Sequence, residues 1–279
     1  MATPPVPIGL SRRALRLLLR SNAWVAVGVG SLGWWVARSA GVTLHGATLV
    51  VLLGGTLLIY NLDHLRDDRS RRRDDSLARP RLALGVRRVV LALGLICLGA
   101  GFVAGGTPLL IASIPGGLIG LLYGARLGSD RRLKDLPGAK AWLVAAAVSQ
   151  VCLLLPLVEA GIRPSLAHVP LGFFLMVLCA LNAHCFDLRD LDVDRRAGAS
   201  TWATDLGGEQ AHRRLVVVSL LATLGAVALW WAGLLPASAP GTLSIATASL
   251  PLVPPGAPRE RFGVVVDGWL VLPALLSLL

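Results

Sequence analysis

The 279-residue sequence predicts an all-α membrane bundle, a polytopic chain of about nine transmembrane helices. Three observations carry this. Hydrophobic residues make up 54% and charged residues 15%, and the mean hydropathy is +0.68, too apolar for an ordinary soluble domain. Apolar runs of about 20 residues, the length that spans a hydrocarbon core, recur along the whole chain. Finally, 31 Gly and eight Trp against two Tyr and five Phe suit helices packed closely in lipid better than barrel strands.

The apolar stretches fall in order at 21–40, 42–62, 87–105, 107–123, 140–160, 167–186, 213–233, 241–255 and 264–279. Gly105-Gly106-Thr107-Pro108 and the run from Pro251 to Pro258 mark tight connections between them. No soluble domain or long linker remains, so 1–279 reads as a single integral-membrane domain with 1–20 as a basic arm. An acidic loop follows the second stretch and another follows the sixth, which points to two related four-helix halves plus a final helix. Arg38, beside the cut that a signal peptide over the first stretch would need, speaks against that reading. Cys97, Cys152, Cys179 and Cys185 have no C-x-x-C spacing and read as packing residues.

Charge sets the orientation. All but two of the 27 Lys and Arg, Arg38 and Arg163, lie in the N-terminal arm or in the connections on one side. The positive-inside rule then places the N-terminus and both acidic loops in the cytoplasm. The net charge of +11 is a topology and anionic-lipid signal. No helix-turn-helix, zinc or aromatic-platform context accompanies it, which excludes nucleic acid as a partner.

Within HCFDLRDLDVDRRAG, residues 184–198, four aspartates occupy eight positions. If the sixth helix runs on past Phe186, Asp187, Asp190 and Asp194 fall on one stripe at i, i+3, i+7 and Asp192 points away. Three like charges on a stripe need a cation. Arg189, Arg195 and Arg196 partly neutralise them, so a salt-bridged, solvated helix end is the plainer reading of this cluster taken alone. A second acidic helix end, YNLDHLRDDRSRRRDD, follows the second stretch, with Asp63 and Asp67 at i, i+4 and Asn61 and His64 close by. Two such ends on one aqueous side suit a hard cation such as Mg²⁺, which takes a few carboxylates, retained water and phosphate oxygens. Acids lining an ion path in a transporter or metal-binding membrane protein are the rival reading, although these acids gather at one face rather than midway through the spans.

The segment DLRDLDVDRRAGASTWATDLG, 187–207, resembles the second aspartate-rich motif of the UbiA family of intramembrane prenyltransferases, with Asp190, Asp194, Gly198, Thr201 and Leu206-Gly207 in the motif positions. LLYGARLGSDRRLKDLPGAK, 121–140, is similar to that family's basic connection through Tyr123, Arg126, Lys134, Asp135 and Lys140. The order of spans and acidic loops follows the family's nine-helix fold over essentially the whole chain. One departure stands out: Asn61 is followed by Leu62, so the first motif is matched only in a shifted register, by Asp63 and Asp67.

The resemblance implies transfer of a prenyl group from an isoprenyl diphosphate to a lipophilic acceptor, aromatic in the first instance, as a step of isoprenoid biosynthesis. Cyclisation of the same donor is the related alternative. It further implies Mg²⁺ held by Asp63, Asp67, Asp190 and Asp194, with Asp187 as a supporting ligand, and diphosphate gripped by Arg126, Lys134 and Lys140 with Asn61 and Tyr123. Tyr60 and Tyr123 carry hydroxyls suited to orienting an acceptor. Trp24, Trp34, Trp35, Trp142, Phe173 and Phe174 are available to face a developing carbocation, although packing or an interfacial belt is the commoner use of such rings. Asp267, a carboxylate inside the last apolar stretch, needs a partner or water at that depth.

Overall fold

The computed structural model describes residues 10–71, 84–124, 133, 136, 138–196 and 198–279, with side chains described for all of these except 10–13 and 67–71. Among them every regular element is a helix. The basic arm carries α1 (Leu10–Arg20), which turns at Asn22 into α2 (Ala23–Ser39). Next come α3 (Gly46–Arg71), α4 (Leu84–Tyr123), α5 (Ala139–Glu159) and α6 (Val169–Arg189). Two short helices, α7 (Leu191–Arg196) and α8 (Trp202–Leu206), precede α9 (Gly208–Trp231), and α10 (Ser238–Ser249), α11 (Arg259–Gly268) and α12 (Leu272–Leu276) close the chain.

The 40-residue α4 is two spans. At Gly106 the backbone takes φ 71°, ψ −170°, a region glycine enters without a Cβ clash, and Pro108 follows. The break falls between the stretches 87–105 and 107–123, as the Gly-Gly-Thr-Pro run indicates. With α4 counted once, five helices among the described residues are long and apolar enough to cross a membrane. The expected spans at 241–255 and 264–279 are not continuous helices. The 12 residues of α10 rise about 18 Å against a hydrocarbon core of about 30 Å. Pro251, Pro254 and Pro255 withhold the amide donors needed to prolong it, and the last stretch is split into α11 and α12.

Helix α6 lies at the centre, packed on α5, α9, α11 and α8, while α2 packs on α3, α5 and α12. The core holds Leu32, Trp35, Leu155, Leu175, Leu178, Leu215 and Phe262, all fully buried. Trp35 meets Phe174 at 4.9 Å between ring centroids and donates from Nε1 to Ser238 Oγ at 2.8 Å, so its one polar atom is satisfied in an apolar setting. Outward faces are apolar too: Val103, Phe173, Leu224 and Trp231 are exposed, the surface a bundle presents to lipid. Cys152, Cys179 and Cys185 are buried free thiols in this packing.

At the opposite end from the acidic loops, the Glu159 carboxylate at the end of α5 accepts the Thr48 N–H at 3.2 Å in the first turn of α3. An anion at a helix N-terminus satisfies an orphan donor and the helix dipole together, which ties α5 to α3.

Candidate functional site

The second acidic segment is built by a helix that stops and restarts. α6 ends at Arg189; Asp190 leaves the helical region at φ −98°, ψ 8°, and its carbonyl accepts the N–H groups of Val193 and Asp194, both at 2.9 Å, to start α7. A single residue separates the two helices. Asp187, Asp190 and Asp194 are all buried, at 2%, 6% and 6% exposure, while Asp192 is exposed, which is the division the i, i+3, i+7 spacing predicts. The chain then turns at Gly198 (φ 66°), and Thr201 caps α8 in a reciprocal pair with Thr204: Thr204 N–H donates to Thr201 Oγ1 at 3.2 Å, and Thr201 N–H to Thr204 Oγ1 at 2.8 Å. The motif's Thr is thus a helix cap. Thr201→Ala is expected to lower the unfolding free energy by about 1 kcal/mol, read as a drop in thermal midpoint with unchanged metal dependence of turnover.

Each buried acid has a cationic partner. Lys140, in the first turn of α5, places Nζ 2.7 Å from Asp187 Oδ1 and 2.9 Å from Asp194 Oδ2. The contact to Asp194 is an aligned hydrogen bond, whereas the one to Asp187 is a charge contact out of alignment. Arg189 donates from Nε to Asp190 Oδ1 at 3.2 Å and from Nη2 to Oδ2 at 2.8 Å, and its guanidinium lies 4.4 Å from the Phe186 ring. Arg259, brought in by α11, approaches Asp190 Oδ1 at 3.5 Å. Burial pushes the Asp194 carboxyl above the usual carboxylate range; Lys140 pulls it down, and the charges of Asp190 and Asp187 add to the rise.

The first acidic segment lies along α3. Asn61 is fully buried, and its Nδ2 donates to Ser21 O at 3.0 Å and Leu57 O at 2.8 Å. Its donor end thus fastens α3 to the α1–α2 junction, and only Oδ1, an acceptor, remains for other work. Asp63 lies at the end of α4: a Cβ added at Gly124 would sit 2.8 Å from Asp63 Oδ1 and 3.3 Å from Arg66 Nη1. Arg66 in turn donates to Leu121 O at 2.9 Å. These contacts seat the acidic end of α3 beside Tyr123, the last residue of α4. The side chain of Asp67 and the whole of Arg126 and Lys134 lie outside the described residues.

Two participants are not evident from the sequence. Arg259 is separated by about 70 residues from the acid it meets, with only its place in a basic loop as a signal. His184, 4% exposed, stacks on Trp202 at 4.0 Å and 12°, meets the edge of Trp142 at 6.4 Å, and has Nδ1 3.7 Å from Asp187 Oδ2. Neither ring nitrogen has a hydrogen-bond partner among the described residues. Its position three residues before Asp187 is the one hint in the sequence. Asp267 of α11 is also buried, at 4%, next to Val266, whose carbonyl accepts from Asn182 Nδ2 at 2.9 Å.

Among the described residues, no three His, Cys, Asp or Glu side chains form a ready-made metal cage. The donor set is nevertheless that of a hard cation: buried carboxylate oxygens, with no sulfur ligand among the described residues of the cluster. Such a set fits Mg²⁺ that keeps waters and shares phosphate oxygens, and it does not fit a closed tetrahedral site.

A family model described as the UbiA prenyltransferase family matches residues 63–256. A sequence search of curated proteins finds no match. Among solved structures, the apo structure of a UbiA homolog from Aeropyrum pernix K1 matches with a TM-score of 0.66 at 16% identity, covering 93% of this chain and 99% of that one. A UbiA homolog from Archaeoglobus fulgidus bound to DMAPP and Mg²⁺ matches with a TM-score of 0.61 at 16% identity, over 95% of this chain and 99% of that one. The Archaeoglobus fulgidus homolog bound to GPP and Mg²⁺ gives 0.58 at 16% identity, with the same coverage. At these identities the likeness establishes the fold.

Proposed function

The chain belongs to the UbiA prenyltransferase family, and from that premise we propose that it catalyses Mg²⁺-dependent transfer of a prenyl group from an isoprenyl diphosphate to a lipophilic, aromatic acceptor in the membrane. The observation that carries this reading is the cluster at the end of α6, where Asp187, Asp190 and Asp194 are buried against Lys140, Arg189 and Arg259. A soluble metal ion alone does not call for three cations beside its acids. A metal–diphosphate does, because it brings its own anionic oxygens. The relatives bound to DMAPP or GPP with Mg²⁺ support the same donor class.

In this reading Asp63, Asp67, Asp190 and Asp194 would hold Mg²⁺, with Asp187 supporting, and the ion would supply charge neutralisation for the diphosphate leaving group. Lys140, Lys134 and Arg126 grip diphosphate oxygens, Lys as a point charge and Arg as a fork. Tyr123 contributes a hydroxyl at the same rim. Asn61, whose amide hydrogens are held by Ser21 and Leu57, offers an oxygen and so contributes on the metal side of the complex. The isoprenoid would lie against the apolar faces of the bundle, where water kept from the allylic cation cannot quench it. The cytoplasm is the compartment of the N-terminus and both acidic segments, because the cationic residues gather on that side.

Pyrophosphate release tests the reading on purified protein in detergent, across prenyl diphosphates of increasing length, with Mg²⁺ or EDTA and with or without a membrane-lipid extract. Release that needs Mg²⁺ and grows with the extract is expected. Metal-dependent release indifferent to the extract would replace transfer with cyclisation or hydrolysis of the donor, told apart by the product's mass, and no release with any donor would sink the proposal.

A further inference from the structure

Resting on that reading, we propose that Lys140 is an exchangeable counterion: it holds Asp187 and Asp194 together until a metal–diphosphate complex arrives, then passes its ammonium to a diphosphate oxygen. The site thereby selects the metal–diphosphate complex over the free divalent cation.

Three features of the cluster lead here. First, the ammonium lies 2.7 Å from one carboxylate and 2.9 Å from another, carried by separate helices, α6 and α7. A bridging position between two carboxylates is also what a divalent ion takes, so the two compete for the same oxygens. Second, among the described residues Asp187, Asp190 and Asp194 already have Lys140, Arg189 and Arg259 as partners. Free Mg²⁺ taking the oxygens that Lys140 holds would strand the ammonium beside a like charge. A metal–diphosphate is close to neutral as a unit and supplies anionic oxygens to which the displaced ammonium transfers. Third, Lys140 stands in the first turn of α5, where the positive end of a 21-residue helix disfavours a cation and favours an anion. The acids hold it there against the helix, and an arriving diphosphate relieves that opposition.

The other two cations are poorly suited to exchange. Arg189 engages both oxygens of Asp190 and stacks on Phe186. Arg259 contacts the same carboxylate. A lysine has a flexible four-carbon stem and a point charge, and this one keeps a quarter of its side chain accessible.

The test is Mn²⁺ binding, by calorimetry on the full chain in detergent, to the wild type and to Lys140→Met, each with and without inorganic pyrophosphate. Lys140→Met is expected to bind Mn²⁺ alone at least about tenfold more tightly, because its competitor is gone, and to gain about tenfold less from pyrophosphate. Unchanged or weaker binding of Mn²⁺ alone by this variant would overturn the exchange. Lys140→Arg provides a second arm: a cation that still bridges the acids should keep Mn²⁺ alone weak. Should Lys140→Met not fold, the wild type decides: Mn²⁺ with pyrophosphate must raise its thermal midpoint well beyond Mn²⁺ alone, and equal rises would overturn the proposal. If the wild type takes up neither, the prenyl-diphosphate reading itself fails. If it takes up the complex and Lys140→Met shows no gain for Mn²⁺, only the exchange fails.

Discussion

Replacing Asp190 with asparagine is expected to reduce metal-dependent pyrophosphate release by about 10³-fold, the scale on which removal of one preorganised charge at a transition state acts. Asp190 is buried between Arg189 and Arg259, so the substitution leaves two guanidinium groups facing the place proposed for the metal. Metal binding then loses a ligand and gains repulsion. Asparagine keeps an acceptor oxygen for Arg189 and nearly the same volume, which limits the structural cost. Even so, breaking a buried ion pair lowers stability by about 3 kcal/mol, so the thermal midpoint must be read beside the rate. Asp192→Asn is the matched control, two residues on but exposed, and should stay within about twofold of the wild type. A folded Asp190→Asn with near-normal, EDTA-sensitive turnover would show that Asp190 only neutralises its arginines.

The site was legible where it depended on local periodicity. Residues at i, i+3, i+7 share a face, so the grouping of Asp187, Asp190 and Asp194 apart from Asp192 could be read from spacing, while the burial of that face, against the solvated helix end that the cluster alone suggests, depends on the helices packed around it. The division of α4 was legible for a similar reason, since Gly-Gly-Thr-Pro has a single local meaning. The two stretches near the C-terminus are broken into shorter helices, and the sequence marks them as short or Pro-interrupted. Pro251, Pro254, Pro255 and Pro273 are apolar enough to extend a stretch and unable to extend a helix. Pairings across the fold were the least accessible. Arg259 meets Asp190, and Trp142 and Trp202 meet His184, only because α11, α5 and α8 converge on α6. Asn61 illustrates the same limit: its motif position was visible, but its use as a clamp on Ser21 depends on where α1 ends.

The other large effect is expected far from any charge, at Gly54. A Cβ built there would lie 2.8 Å from Gly94 O, Leu98 N and Cys97 Cβ, and one at Gly94 would lie 3.0 Å from Gly54 O. Helices α3 and α4 thus touch backbone to backbone, the approach small residues permit in lipid, where helix association rests on close packing rather than on expulsion of water. Two of the opposing atoms at Gly54 belong to the main chain, which cannot swing aside as a side-chain tip can. Gly54→Ala is therefore expected to destabilise the protein by about 3 kcal/mol, the upper range for overpacking, and to lower the thermal midpoint in detergent. Gly117→Ala, with open space around its Cβ, should have little effect on packing and serves as the control. The consequence reaches the acids because α3 packs on both halves of α4: Asp63 is nine residues further along α3, about 14 Å down the helix, against Gly124 at the end of the second half. Parting the helices at Gly54 tilts that carboxylate away from the rim formed by Tyr123. The folded fraction of Gly54→Ala should then need more Mg²⁺ for half-maximal pyrophosphate release, whereas Gly117→Ala should not. A Gly54→Ala protein with the thermal midpoint and Mg²⁺ requirement of the wild type would mean that α3 and α4 are not in backbone contact, and that the first acidic segment is positioned by other means.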